Sequence, residues 1–132
     1  MAVLFESGNT LLWNPSPRIA QVFLAHVRAI ESAEDIASGI GELIADEVSV
    51  DPSILSIFVT TIGGQLERTS NPTTSSLFAG AFAISCGLLS ACGATLPLFE
   101  GEVGQLAHRG VRLVSGQGRP GPIFEGLGVK CK

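Results

Sequence analysis

Apolar residues recur at helical spacing in several stretches of the 132-residue chain. From Pro17 onward, Ile19, Val22, Phe23, Val27 and Ile30 keep a rhythm of three to four, which predicts a helix over about 17–36. Ser16 and Pro17 mark its start. The hydroxyl can accept from open backbone amides, and the proline ring fixes the φ that a first helical position needs. Asp51-Pro52 repeats that signal and predicts a second helix over 52–68, with Ile54, Leu55, Phe58, Ile62 and Leu66 inward. Gly63 and Gly64 each weaken a helix by about 1 kcal/mol relative to alanine, so a kink or early end is expected there. Asn71-Pro72-Thr73-Thr74 reads as a polar break. The third helix, about 75–92, is apolar nearly all round, the mark of a central helix or a membrane span.

Strands are fewer. Ala2–Glu6 and Thr10–Trp13 flank Ser7-Gly8-Asn9 and predict a hairpin, because Gly and Asn tolerate positive φ. Val48-Ser49-Val50 alternates and reads as a short strand. Residues 101–132 hold eight glycines and two prolines, which predicts an irregular Gly-rich segment over 96–132. That segment follows a compact domain at 1–95 and docks on it or on a neighbouring subunit. Within it, Val111–Ser115 is a strand that could join the hairpin. The fold class expected is mainly α with a small β component (α+β), with an N-terminal hairpin and three helices.

Composition adds a bias towards association. Only 15% of residues are charged, against about 25% in a typical soluble domain, which leaves more apolar surface for a partner. The net charge is −4 and uneven. Residues 1–100 hold three arginines against ten acids; residues 101–132 hold five Lys/Arg against two acids. An acidic body excludes a nucleic-acid surface, which needs a basic patch to displace counterions. Three cysteines without metal-ligand spacing read as reduced, buried thiols. Met1–Asn9 lacks the basic start and apolar core of a signal peptide, so a cytoplasmic location is expected.

Leu77 to Leu96 is uncharged and long enough to cross a bilayer. Its strongly apolar residues supply only about 2–4 kcal/mol of insertion energy, before Gly and Ser costs. No Lys/Arg cluster or aromatic belt flanks it, and a soluble core helix is the better reading. Ala79, Ala83, Gly87 and Ala91 form a strip of small residues every fourth position. Such a strip lets another backbone approach closely, within one chain or between subunits.

Candidate chemistry is sparse. His26 falls on the apolar seam of the first helix, where an imidazole titrating near neutrality can act as a general base. Asp46-Glu47 is an adjacent acidic pair, of which at most one faces a pocket if the segment is extended. Trp13 either lines a ligand pocket or pins the hairpin to the first helix. His108, Arg109 and Arg112 form a local basic cluster that meets an anion or pairs with the acidic body. Gly116-Gln117-Gly118-Arg119-Pro120-Gly121 mimics a dinucleotide fingerprint, but Pro120 and the absence of a βαβ pattern make it a chance match. No metal site and no cofactor are expected.

Leu12-Trp13-Asn14-Pro15-Ser16, Ser38-Gly39-Ile40-Gly41, Ala45-Asp46-Glu47 and Asp51-Pro52, in this order, resemble a family of small, functionally uncharacterised bacterial, largely actinobacterial, proteins. The resemblance covers about Ser7 to Gly93. It implies a hairpin followed by helices in a cytoplasmic protein, and it carries over no activity to this chain. Low charge, the small-residue strip and a tail that needs a docking site make the first functional expectation a non-enzymatic module that self-associates or binds another protein, with Trp13, Ala79, Ala83, Gly87 and Ala91 as contact residues. One alternative is a cofactor-free isomerase or cyclase acting on an apolar small molecule, with His26, Asp46 and Glu47 as acid/base groups. A second is a membrane-associated protein built on helix 77–96.

Overall fold

A computed structural model describes residues 2–116. Strands β1 (Leu4–Ser7) and β2 (Thr10–Trp13) form the expected hairpin, antiparallel around Gly8 at φ +60°. β3 (Glu47–Ser49) lies on the other side of β1 and runs parallel to it, giving the order β2-β1-β3. Four helices follow or intervene: α1 (Pro17–Glu34), α2 (Pro52–Arg68), α3 (Pro72–Ala91) and α4 (Gly101–Gly116). The α+β class with an N-terminal hairpin holds, with four helices in place of three.

Three helices start on the same device. The side chains of Ser16, Asp51 and Asn71 accept from backbone amides of the first turn (Ile19, Ser53 and Ile54, and Thr73), and a proline follows each cap. Asn71-Pro72 is thus a helix start and not a break, and α3 begins three residues earlier than its apolar pattern does. α1 stops at Asp35, which takes a left-handed φ of 52° while Ile36 N–H reaches back to the Glu31 carbonyl. α2 runs unbroken past Gly63 and Gly64. The ring of Phe99 sits against Gly63 and meets Phe82 edge-on at 5.4 Å, so the missing side chain makes room for an aromatic pair.

The segment expected to be irregular over 96–132 forms a helix from Gly101 to Gly116. Val103, Ala107, Gly110 and Val114 recur at three- and four-residue spacing and form the buried face of α4. Val111–Ser115, read above as a strand, belongs to this helix, and the strand that widens the hairpin is β3. Residues 117–132 lie outside the described residues, together with Cys131 and most of the glycine fingerprint mimic.

α3 is the central helix: from Ala81 to Leu89 every residue but Ile84 is buried. Phe82, Leu88 and Leu89 are inaccessible to solvent, with Phe58 and Ile62 of α2 and Phe5 of β1. Each such side chain contributes about 1.5–3 kcal/mol by leaving water. The small-residue strip of α3 packs on α4. A Cβ on Gly87 would collide with the Gly110 carbonyl and Val114, and one on Gly110 with the Ala83 carbonyl. Two backbones are in contact there, and Ala83 and Gly87 of the strip have their partner within the chain.

A polar knot ties the loop after α1. Glu31 accepts from Ser38 Oγ at 2.6 Å, Ser38 N–H at 3.0 Å and Arg28 Nη1 at 2.7 Å. Arg28 Nη2 donates to the carbonyls of Ile40 and Gly41. Burial pushes the Glu31 carboxyl up, but the bonds from Ser38 and Arg28 outweigh it and hold it below its ordinary range. A carboxyl lowered by folding stabilises above its unfolded value, about 4.3, and the benefit fades as pH falls through the lowered value. Glu31→Gln is expected to cost about 1–3 kcal/mol at neutral pH. The deficit should shrink once wild-type Glu31 is itself protonated; urea midpoints at neutral and strongly acidic pH measure it. A deficit unchanged at acid pH would show that the charge is not what holds the loop.

Candidate protein-docking groove

α1 carries more apolar residues than one face can bury. Ala20, Phe23, Leu24, Val27 and Ile30 point into the core. Ile19 and Val22, expected inward, lie on a second stripe with His26 and remain exposed. This stripe borders an open groove whose other walls are Leu77 and Ile84 of α3 and Leu113 near the end of α4. The groove has a volume of about 610 Å³ and is mostly apolar, with Trp13 and Phe23 among its lining. Leu77 is 67% exposed and Val22 53%, unusual for large aliphatic side chains clustered on one surface.

One standing charge lies at its edge, Arg18. Arg18 and His26 line the groove itself. Across Ser76 lies a mixed cleft in which Phe99 and Leu106 stand beside Gln105, Arg109, Arg112 and the acid Glu102. Among the described residues the one ion pair is Arg28–Glu31, and Arg18, Arg109 and Arg112 pair with no carboxylate. The basic cluster of α4 does not meet the acidic body through an ion pair of its own.

Trp13 is buried, 3% exposed, and packs on Phe5 at 5.1 Å and Phe23 at 5.6 Å between ring centres. It pins the hairpin to α1, as one of its two expected roles requires. Its indole N–H is buried with no acceptor among the described residues, as is the Ser85 hydroxyl. Ala83 and Gly87 are buried under α4; Ala79 borders the cleft across Ser76, and Ala91 borders a further cavity beside β2. The strip is therefore divided between an internal contact and two surfaces.

The proposed acid/base group is not assembled. His26 is exposed, and its Nδ1 lies 3.0 Å from the Val22 carbonyl, an acceptor, which puts the ring proton on Nδ1. Asp46 and Glu47 are exposed on a hairpin turn elsewhere and do not line the groove. Cys86 is buried, and its thiol is pushed up to about 12 by burial alone; Cys92 is raised for the same reason, against a bond from Ser7. Neither thiol has the lowered pKa that a nucleophile needs. No group of three or more His, Cys, Asp or Glu side chains suited to a metal occurs among the described residues.

The Asp46 turn has its own character. Ala45 and Asp46 both take left-handed φ, 53° and 65°, and Ile44 and Glu47 exchange both backbone hydrogen bonds at 2.9 and 3.0 Å. This is a two-residue hairpin tip. Its surface holds Glu42, Asp46 and Glu47, with Ile44 69% exposed among them. Sequence reasoning missed both the tip and the groove. The available signal was the surplus of apolar positions on α1 and an isoleucine set among acids.

Fold and site together define a small α+β protein with a central apolar helix and an open apolar groove edged by Arg18. The chain belongs to a family of unknown function, DUF6086, which it matches over residues 1–116. No curated protein and no solved structure matches it.

Proposed function

We propose that the protein is a non-enzymatic protein-binding module, and that the groove between α1, α3 and α4 receives an apolar segment carrying acidic side chains. One observation carries this reading: Ile19, Val22, Leu77 and Leu113, from three helices, converge on a single exposed surface with arginines beside it. Burying such side chains against a partner releases about 25 cal/mol per Å². The unpaired arginines favour an acidic partner and set its register. Reading the protein as an acid/base enzyme gains no support, because His26 opens onto the groove while Asp46 and Glu47 lie on the tip.

The test places a photo-crosslinking side chain at Val22 in the protein's own host and identifies adducts by mass. The purified pair is then titrated. Leu77→Asp is expected to leave stability within about 0.5 kcal/mol, as for an exposed position. It should weaken the complex at least tenfold, about 1.4 kcal/mol. A groove that crosslinks to no protein chain, or a complex indifferent to Leu77→Asp, overturns the proposal.

A further inference from the structure

We infer that the groove's occupant is a second copy of this chain, which enters by the hairpin tip at Ile44–Glu47. The inference rests on the docking role proposed for the groove and names the partner. Its first support is complementary chemistry. The tip offers one protruding isoleucine among the carboxylates of Glu42, Asp46 and Glu47; the groove offers an apolar wall with Arg18 at its edge, and the adjoining cleft adds Arg109 and Arg112 against the single acid Glu102. Neither set of charges is paired within the chain among the described residues. Each surface thus lacks what the other supplies. Tip against tip and groove against groove repel, so the attraction selects one arrangement.

The second support is preorganisation. The tip is closed by its paired Ile44–Glu47 bonds, Gly41 N–H donates to the Ser49 carbonyl at 2.8 Å, and Arg28 clamps the Ile40 and Gly41 carbonyls from α1. A knob held this firmly loses little conformational freedom on docking.

One tip in one groove is a small contact. Exchange of tips about a two-fold axis doubles it and closes the assembly. The expected product is a reversible dimer that weakens as salt rises, because exposed charges are screened within about 8 Å at physiological ionic strength.

Sedimentation velocity of the full chain, from low to high micromolar concentration and at low and high salt, tests this. Wild type should dimerise. Glu42→Lys/Glu47→Lys makes the tip basic, and Arg109→Glu/Arg112→Glu makes the cleft beside the groove acidic; each alone should weaken dimerisation at least tenfold. Mixed in equal amounts, the two variants should form a 1:1 heterodimer, because both exchanged contacts then join opposite charges. These sites are exposed, and circular dichroism checks that each variant folds; Ile44→Asp and Leu77→Asp are independent single changes with the same expected loss. A wild type that stays monomeric while Val22 crosslinks to a different protein overturns the self-association and leaves the groove reading standing. A monomer whose groove crosslinks to nothing overturns both. A dimer indifferent to the charge reversals, or unrestored on mixing, also overturns the inference.

Discussion

Gly110→Ala is expected to destabilise the protein by about 3 kcal/mol or more, although the same exchange in an exposed helix stabilises by about 1 kcal/mol. Gly110 lies on the buried face of α4, and a Cβ there would fall on the carbonyl of Ala83 in α3. A side chain in the way can change rotamer, but a backbone carbonyl in mid-helix cannot turn aside without losing its own bond. The helices must separate instead, and Val103, Ala107 and Val114 lose their close packing together. Urea unfolding of the full chain reads the loss as a lower midpoint. Gly87→Ala should act in the same direction, since its Cβ would meet Gly110 from the other side. Gly80→Ala is the control. It is a helix glycine of α3 with nothing within reach of an added Cβ, and it should stabilise by about 0.5–1 kcal/mol. Opposite signs for two glycine-to-alanine changes are the signature of a backbone crossing. A Gly110→Ala variant as stable as wild type would show that α4 does not sit where the structure puts it.

That crossing also explains why α4 escaped a reading of the sequence. The glycines of Gly101–Gly116 lower intrinsic helix propensity, and only packing against α3 compensates. The strip on α3 announced a close neighbour, but periodicity marks a face without saying what covers it. The helix starts are legible because a capping side chain and a proline act locally; Asn71-Pro72 carries the same signal, but the apolar pattern of α3 begins only three residues later and hides it. On α1, two stripes one residue apart compete. Ile19, Val22 and His26 share one, and the core lies under Phe23, Val27 and Ile30 on the other. The groove takes residues from positions 13 to 113, so no local window contains it. The tip is local, but its meaning depends on the two left-handed residues, Ala45 and Asp46, which alanine does not advertise.

Gly39→Ala should be the second large loss, about 3 kcal/mol, and it should reach the tip as well as the fold. Gly39 takes φ +81°, and a Cβ there would stand 2.7 Å from the Asp51 carbonyl and 2.8 Å from the Leu55 nitrogen, both backbone of α2's first turn. Its own carbonyl accepts from Asp51 N–H at 2.8 Å, and Asp51 is the residue that caps α2. Displacing Gly39 therefore strains a left-handed residue, disturbs a cap worth about 1 kcal/mol and shifts the base of the hairpin that carries Ile44. Gly8→Ala separates these effects. Gly8 also has positive φ, +60°, but meets nothing within 4 Å, so it should cost only the backbone term, about 1 kcal/mol. Denaturant midpoints compare the two variants. Hydrogen exchange of the Gly41, Ile44 and Glu47 amides, which hold the tip together, reports whether the hairpin has loosened. If Gly39→Ala costs no more than Gly8→Ala and those amides stay protected, the seat on α2 does not set the tip's position, and its rigidity must come from the Arg28 clamp alone.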